Sequence, residues 1–71
     1  AVNGAAFAPV LAGSLNKLSV QRSAAGDQDG GLAAIEGAVA LFRELAATNA
    51  VAFTPDLGMS LNNLSVQRSA A

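Results

Sequence analysis

Leucines fall at Leu11, Leu15 and Leu18, and again at Leu57, Leu61 and Leu64. Both sets follow the i, i+4, i+7 spacing that lines one face of an α-helix. Between them runs a broader stripe of Leu32, Ile35, Val39, Phe42 and Ala46, which Leu41 and Leu45 widen to nearly half the circumference. An apolar face that wide suits a helix touching neighbours on two sides. The segment Gly26-Asp27-Gln28-Asp29-Gly30-Gly31 breaks the period and reads as a turn, with Asp27 or Asp29 capping the next helix. Thr54-Pro55-Asp56 reads as a helix start: a capping hydroxyl, a proline suited to the first turn, and an acid at the positive end of the dipole. Ala8-Pro9-Val10 is a weaker copy of it without the hydroxyl. Asn49 suits the end of the middle helix. The pattern predicts helices over about 8–25, 29–48 and 54–70, the first two antiparallel, with no strand. Leu15, Leu18, Ile35, Val39 and Phe42 should pack together, with Leu61 and Leu64 closing one side.

The two Leu stripes belong to an internal repeat. Residues 3–25 recur at 49–71 with a constant offset of 46 and no gap, and 16 of the 23 aligned positions are identical. Self-similarity at a fixed period of this size points to a stacked repeat architecture. The chain divides into a first repeat over 3–48 and the first helix of a second over 49–71, and its 71 residues allow one small domain. It opens on Ala1 and closes at Ala71 in mid-repeat, as a piece of a longer array would.

The layout resembles the tetratricopeptide repeat family in its longer-helix branch, similar to Ala-rich actinobacterial repeats and more distantly to those of kinesin light chains. Ser14-Leu15-Asn16-Lys17-Leu18-Ser19, repeated as Ser60-Leu61-Asn62-Asn63-Leu64-Ser65, carries the first-helix pattern of large apolar, Leu and small residues. Gly26 stands at the inter-helix turn, and Leu32-Ala33-Ala34-Ile35-Glu36, Ala38-Val39 and Arg43-Glu44-Leu45-Ala46 match the second helix, with Ala38 small where the helices cross. The usual repeat of that family is about 34 residues; longer helices account for the longer period. The resemblance implies an all-α fold, an antiparallel helical hairpin plus a third helix, as a segment of an α-solenoid.

The chain departs from that pattern at several positions. Arg22 and Arg68 stand where a large apolar residue is usual late in the first helix, and Ala25 where a Leu is common. Gly31 replaces a usual Ala, and Gly30 and Gly37 stand where helix formers are expected. Glycine inside a helix costs roughly 0.5–1 kcal/mol relative to Ala. The two arginines read as side chains whose stems rest on the core edge while the heads reach water.

Composition narrows the chemistry. A net charge of −1 from nine charged side chains leaves no basic patch for nucleic acid and no cationic face for an anionic membrane. No apolar run approaches the length of a membrane span, and the apolar start lacks the basic flank of a signal peptide. The absence of Cys removes disulfides and thiolate metal sites and fits a cytoplasmic protein. His, Tyr and Trp are missing too. The five carboxylates, Asp27, Asp29, Glu36, Glu44 and Asp56, fall in a turn, at a helix start or on solvated faces, whereas acid–base catalysis needs a carboxylate in a dry pocket beside a partner. Asp27-Gln28-Asp29 fails the calcium-loop spacing, with Gly31 and Ala38 where ligands belong. No enzyme, no metal and no cofactor is implied.

What remains is recognition of protein. Asn16, Val20 and Ser23 lie opposite the Leu stripe of the first helix, and Asn62, Val66 and Ser69 repeat the arrangement on the third; Lys17 and Asn63 border it. In the resembled family the first helices of successive repeats line a concave groove that holds peptides, so these eight residues are the candidate partner-binding set. Asn both donates to and accepts from a peptide backbone. The expected role is a scaffold binding a peptide or a neighbouring repeat. The alternatives are a self-associating structural module, since one and a half repeats leave the last helix partly uncovered, or an appended repeat of a larger signalling protein or ATPase.

Overall fold

The computed structural model describes residues 4–70, with side chains from Phe7 to Ser69. It is all-helical: α1 spans Gly4–Ala24, α2 Gln28–Thr48 and α3 Ala50–Ala70. The outermost repeat bounds, Asn3 and Ala71, lie outside the described residues. Contacts run from Gly31 to Ser19 and Ser23, and from Gly37 to Leu15, so α1 and α2 are antiparallel. Helix α2 ends at Thr48, next to the start of α3 at Ala50, while Gly31 at the start of α2 lies against Gln67 at the end of α3, so α2 and α3 are antiparallel as well. Parallel α1 and α3 therefore flank α2.

The α1–α2 reversal needs only three residues because each does two jobs. Gly26 adopts φ +91°, the left-handed region open to glycine. Its N–H donates to the Ser23 carbonyl at 3.1 Å, and the Asp27 N–H donates to the Arg22 carbonyl at 2.8 Å. This pair of bonds is the Schellman ending of a helix. Asp27 then caps α2, its carboxylate accepting from the Gly30 N–H at 2.9 Å. Helix α2 consequently begins at Gln28, and Gly30 and Gly31 belong to its first turn.

The α2–α3 reversal turns on Asn49 alone. Its N–H donates to the Leu45 carbonyl at 2.9 Å, and its side-chain oxygen accepts from the Ala52 N–H at 3.2 Å. One residue thus ends one helix and caps the next. The sequence expectation of a start at Thr54-Pro55 is corrected by this cap: α3 begins four residues earlier, with Pro55 inside it, as Pro9 is inside α1. A proline there removes one ladder bond to the Val51 carbonyl. Val51 is 93% exposed, so its carbonyl is not left unpaired in the core. Asn49→Ala should lower stability by about 1 kcal/mol, and Asn49→Gly by only a few tenths. Urea unfolding of the two variants checks this; equal losses would show that the side-chain cap does not matter.

The core is mostly α2. Ala34, Ile35, Ala38, Val39 and Phe42 are buried, joined by Ala12 of α1. Leu15 from α1, Leu32, Leu41 and Leu45 from α2, and Phe53, Leu57 and Leu64 from α3 pack around them, partly buried. The expectation for Ile35, Phe42, Leu15 and Leu64 is met, and Val39 is buried but outside this cluster. Leu18 is half-buried outside this cluster, and Leu61 is exposed. In their place Ser19 and Ser60 are fully buried. The small side chains let α1 and α3 approach each other, and Gly31 lets α2 enter the same junction. A β-carbon on Gly31 would collide with Ser23 Oγ and sit 3.0 Å from the Ser19 carbonyl oxygen.

Candidate functional site

Helices α1 and α3 meet along a polar seam. Asn16 Oδ1 accepts from Ser60 Oγ at 3.4 Å and from Asn63 Nδ2 at 3.3 Å. Gln67 Nε2 donates to Ser19 Oγ in a short contact and to Asn63 Oδ1 at 2.9 Å. The partners across the seam are 44, 47 and 48 residues apart, bracketing the repeat offset of 46. Equivalent helices therefore lie side by side in register. Buried polar groups must find partners or cost free energy. Here they find them across the seam, except Gln67 Oε1, which has no partner among the described residues.

The structure brings some of the eight candidate residues together and separates others. Asn16 and Asn63 bond to each other, so they build the seam. Ser23 and Val66 line a cleft of about 270 Å³, with Ala24, Gln28 and Gln67, where the C-terminal ends of α1 and α3 meet the start of α2. Lys17, Val20, Asn62 and Ser69 are exposed outside that cleft. Sequence reasoning missed Ser19, Ser60 and Gln67, which complete the seam, and Ala24 and Gln28, which line the cleft. A signal for Ser60 and Gln67 was present: both are identical in the two repeat copies, as Ser14 and Gln21.

The two copies use different faces. Helix α1 turns Ala12, Leu15, Asn16, Ser19 and Ser23 inward, toward α2 and α3. Helix α3 turns Phe53, Leu57, Ser60, Asn63, Leu64 and Gln67 inward. Each set has its counterpart left outward on the other helix. On α1, Phe7, Leu11, Ser14, Lys17 and Gln21 are exposed, with Leu18 half-buried. On α3, Gly58, Leu61, Asn62, Ser65 and Ser69 are exposed. A shallow trough of about 400 Å³ runs along that outer side of α3, lined by Leu61, Leu64, Ser65, Arg68 and Ser69.

Charge plays a small part in this geometry. Arg22 lies 3.7 Å from Asp27 and Arg68 lies 3.8 Å from Glu36, all with about half or more of the side chain exposed. Exposed pairs of this kind contribute about 0–1 kcal/mol. Arg22 thus ties the α1–α2 turn, and Arg68 ties α3 to α2. None of the described helices is long and apolar enough to cross a membrane. Comparison with protein-family models, with curated proteins and with solved structures finds no match.

Proposed function

We propose that the chain is a protein-interaction segment built as a tetratricopeptide-like solenoid, non-catalytic and without cofactor. The observation that carries this reading is the seam: α3 seats on α1 and α2 with its partners displaced by one repeat period. Stacking of equivalent helices at that displacement is how solenoids grow and how they form extended binding surfaces. The ligand is a peptide, extended or helical, lying along the α1–α3 surface. Val20, Ser23 and Val66 offer it small and apolar contacts, Lys17, Asn62 and Ser69 border it, and Asn16 and Asn63 hold the two helices at a fixed spacing beneath it.

Selection from a displayed peptide library on the immobilised chain tests this. Peptides enriched on the chain should bind at least tenfold more weakly to Val66→Arg, which fills the cleft from an exposed position. No charged side chain lines the cleft, so affinity should change little with salt. Failure to enrich any peptide, or enriched peptides indifferent to Val66→Arg, would remove the cleft as the binding site.

A further inference from the structure

The structure leaves a complementary pair of faces at its two ends, and we propose that copies of this chain associate head to tail through them: the outer face of α1 in one copy seats on the outer face of α3 in the next. Head-to-tail association rests on the reading that the exposed faces bind protein, and it names the partner as a second copy.

The two faces match each other in chemistry. Inside the molecule, α3 docks with Phe53, Leu57, Ser60, Asn63, Leu64 and Gln67. The outer face of α1 carries Phe7, Leu11, Ser14, Lys17, Leu18 and Gln21 at the same positions, so only Lys17 for Asn63 differs. The inward face of α1 consists of Ala12, Leu15, Asn16, Ser19 and Ser23, of which Asn16 and Ser19 receive α3 and Leu15 and Ser23 lie against α2. The outer face of α3 repeats it as Gly58, Leu61, Asn62, Ser65 and Ser69, so only Gly58 for Ala12 differs. Three side-chain hydrogen bonds in the fold already join these two sets, Ser60 and Asn63 to Asn16 and Gln67 to Ser19, while Phe53, Leu57 and Leu64 pack on the core centred on α2. Lys17 of the incoming copy is a donor, as Asn63 is, and can serve the Asn62 oxygen while its stem lies on the helix. Exposed Phe7 and Leu11 at one end, and Met59 and Leu61 at the other, supply apolar area to bury.

The two faces are different surfaces, so the contact is heterologous and each association regenerates both free ends. Open chains of copies result, rather than a closed two-fold dimer. Internally α3 rests mainly on α2, and the contact between the two outer faces has no equivalent of α2, so association is concentration-dependent and weak.

Static light scattering on the full chain, with each variant checked by circular dichroism, tests the proposal. The weight-average mass of the parent should climb above 7.0 kDa with concentration and keep climbing past the dimer. Ser14→Arg spoils only the α1 face, and Ser65→Arg spoils only the α3 face; both positions are exposed. Each variant alone should stay monomeric. Mixed in equal amounts, they should form a dimer of one each and nothing larger, because one intact copy of each face remains. Leu11→Arg and Leu61→Arg, also exposed, form a second pair should either serine variant unfold. A parent that stays at 7.0 kDa throughout, single variants that associate as the parent does, or a mixture that stays monomeric while the parent associates would each overturn it. None of these outcomes bears on peptide binding at Val66, which the library selection reads separately.

Discussion

Ile35→Ala should lower the stability of the chain by about 2–5 kcal/mol. Ile35 is fully buried, and it is the largest side chain so placed among the described residues. It sits on the α2 stripe with Ala38 and Phe42, against Ala12 of α1. Removing its branches forfeits the transfer free energy of those carbons and leaves a void that three short helices can only partly close. A chain of this length has roughly 4–10 kcal/mol to lose, so the variant stands near the limit of folding at ambient temperature. A thermal melt followed at a helical wavelength should move down by roughly 10 °C or more, given about 4–8 °C per kcal/mol for domains of this size. A melt overlaying that of the parent would show that the core is not centred on Ile35.

The second large effect is a glycine whose replacement goes against helix propensity. Gly31→Val should destabilise by about 1–3 kcal/mol through overpacking, and Gly31→Ala should also lose stability although Ala is the better helix former. The β-carbon would strike Ser23 Oγ and crowd the Ser19 carbonyl and Gln67 Oε1 at 3.1 Å. The backbones of α1 and α2 would have to separate, and the short Gln67–Ser19 contact would open with them. Gly58 provides the contrast, since nothing lies within 4 Å of its missing β-carbon. Gly58→Ala should raise stability by about 0.5–1 kcal/mol. Denaturant midpoints of the two alanine variants should move in opposite directions. A shift of the same sign in both would mean that propensity, not the junction, governs Gly31.

Much of the architecture was legible in the sequence. Ile35, Val39 and Phe42 mark the inner face of α2 because that helix alone concentrates its apolar residues. The turn at Gly26 was legible for the same physical reason that makes it work, a glycine followed by a capping aspartate. The start of α3 was misread. Thr54-Pro55-Asp56 has good local chemistry for a helix start, but beginning there would leave Phe53, which packs on the core, outside the helix. The tertiary contact overrides the local signal, and Asn49 supplies the cap. The choice of faces could not be read at all. Sequence identity between the copies gives α1 and α3 nearly the same side chains around nearly the same circumference, so nothing local distinguishes the face that Ser19 uses from the face that Ser60 uses. The distinction arises only when α2 lies between them. That is also why the candidate residues divided: Asn16 and Asn62 are the same residue in the repeat, yet one is joined to α3 and the other faces solvent.

The single-residue reversal at Asn49 makes the fold a latch closed by two torsion angles. Its N–H bonds the Leu45 carbonyl and its carbonyl accepts from the Phe53 N–H at 3.1 Å, both at the four-residue step of an unbroken helix. Rotating φ −148° and ψ 81° at this residue into the helical range would keep both bonds. The side-chain cap on Ala52 would give way to a ladder bond from the same N–H to Thr48. The Ala50 and Val51 N–H groups would gain the Ala46 and Ala47 carbonyls as well, so local backbone hydrogen bonding favours one continuous rod over the fold-back. What holds the latch shut is the grip of Phe53, Leu57 and Leu64 on the core, together with the Gln67 amide on Ser19. Unzipping under tension should begin there, with α3 leaving as a unit while the α1–α2 hairpin, pinned by the Gly26 turn, stays closed.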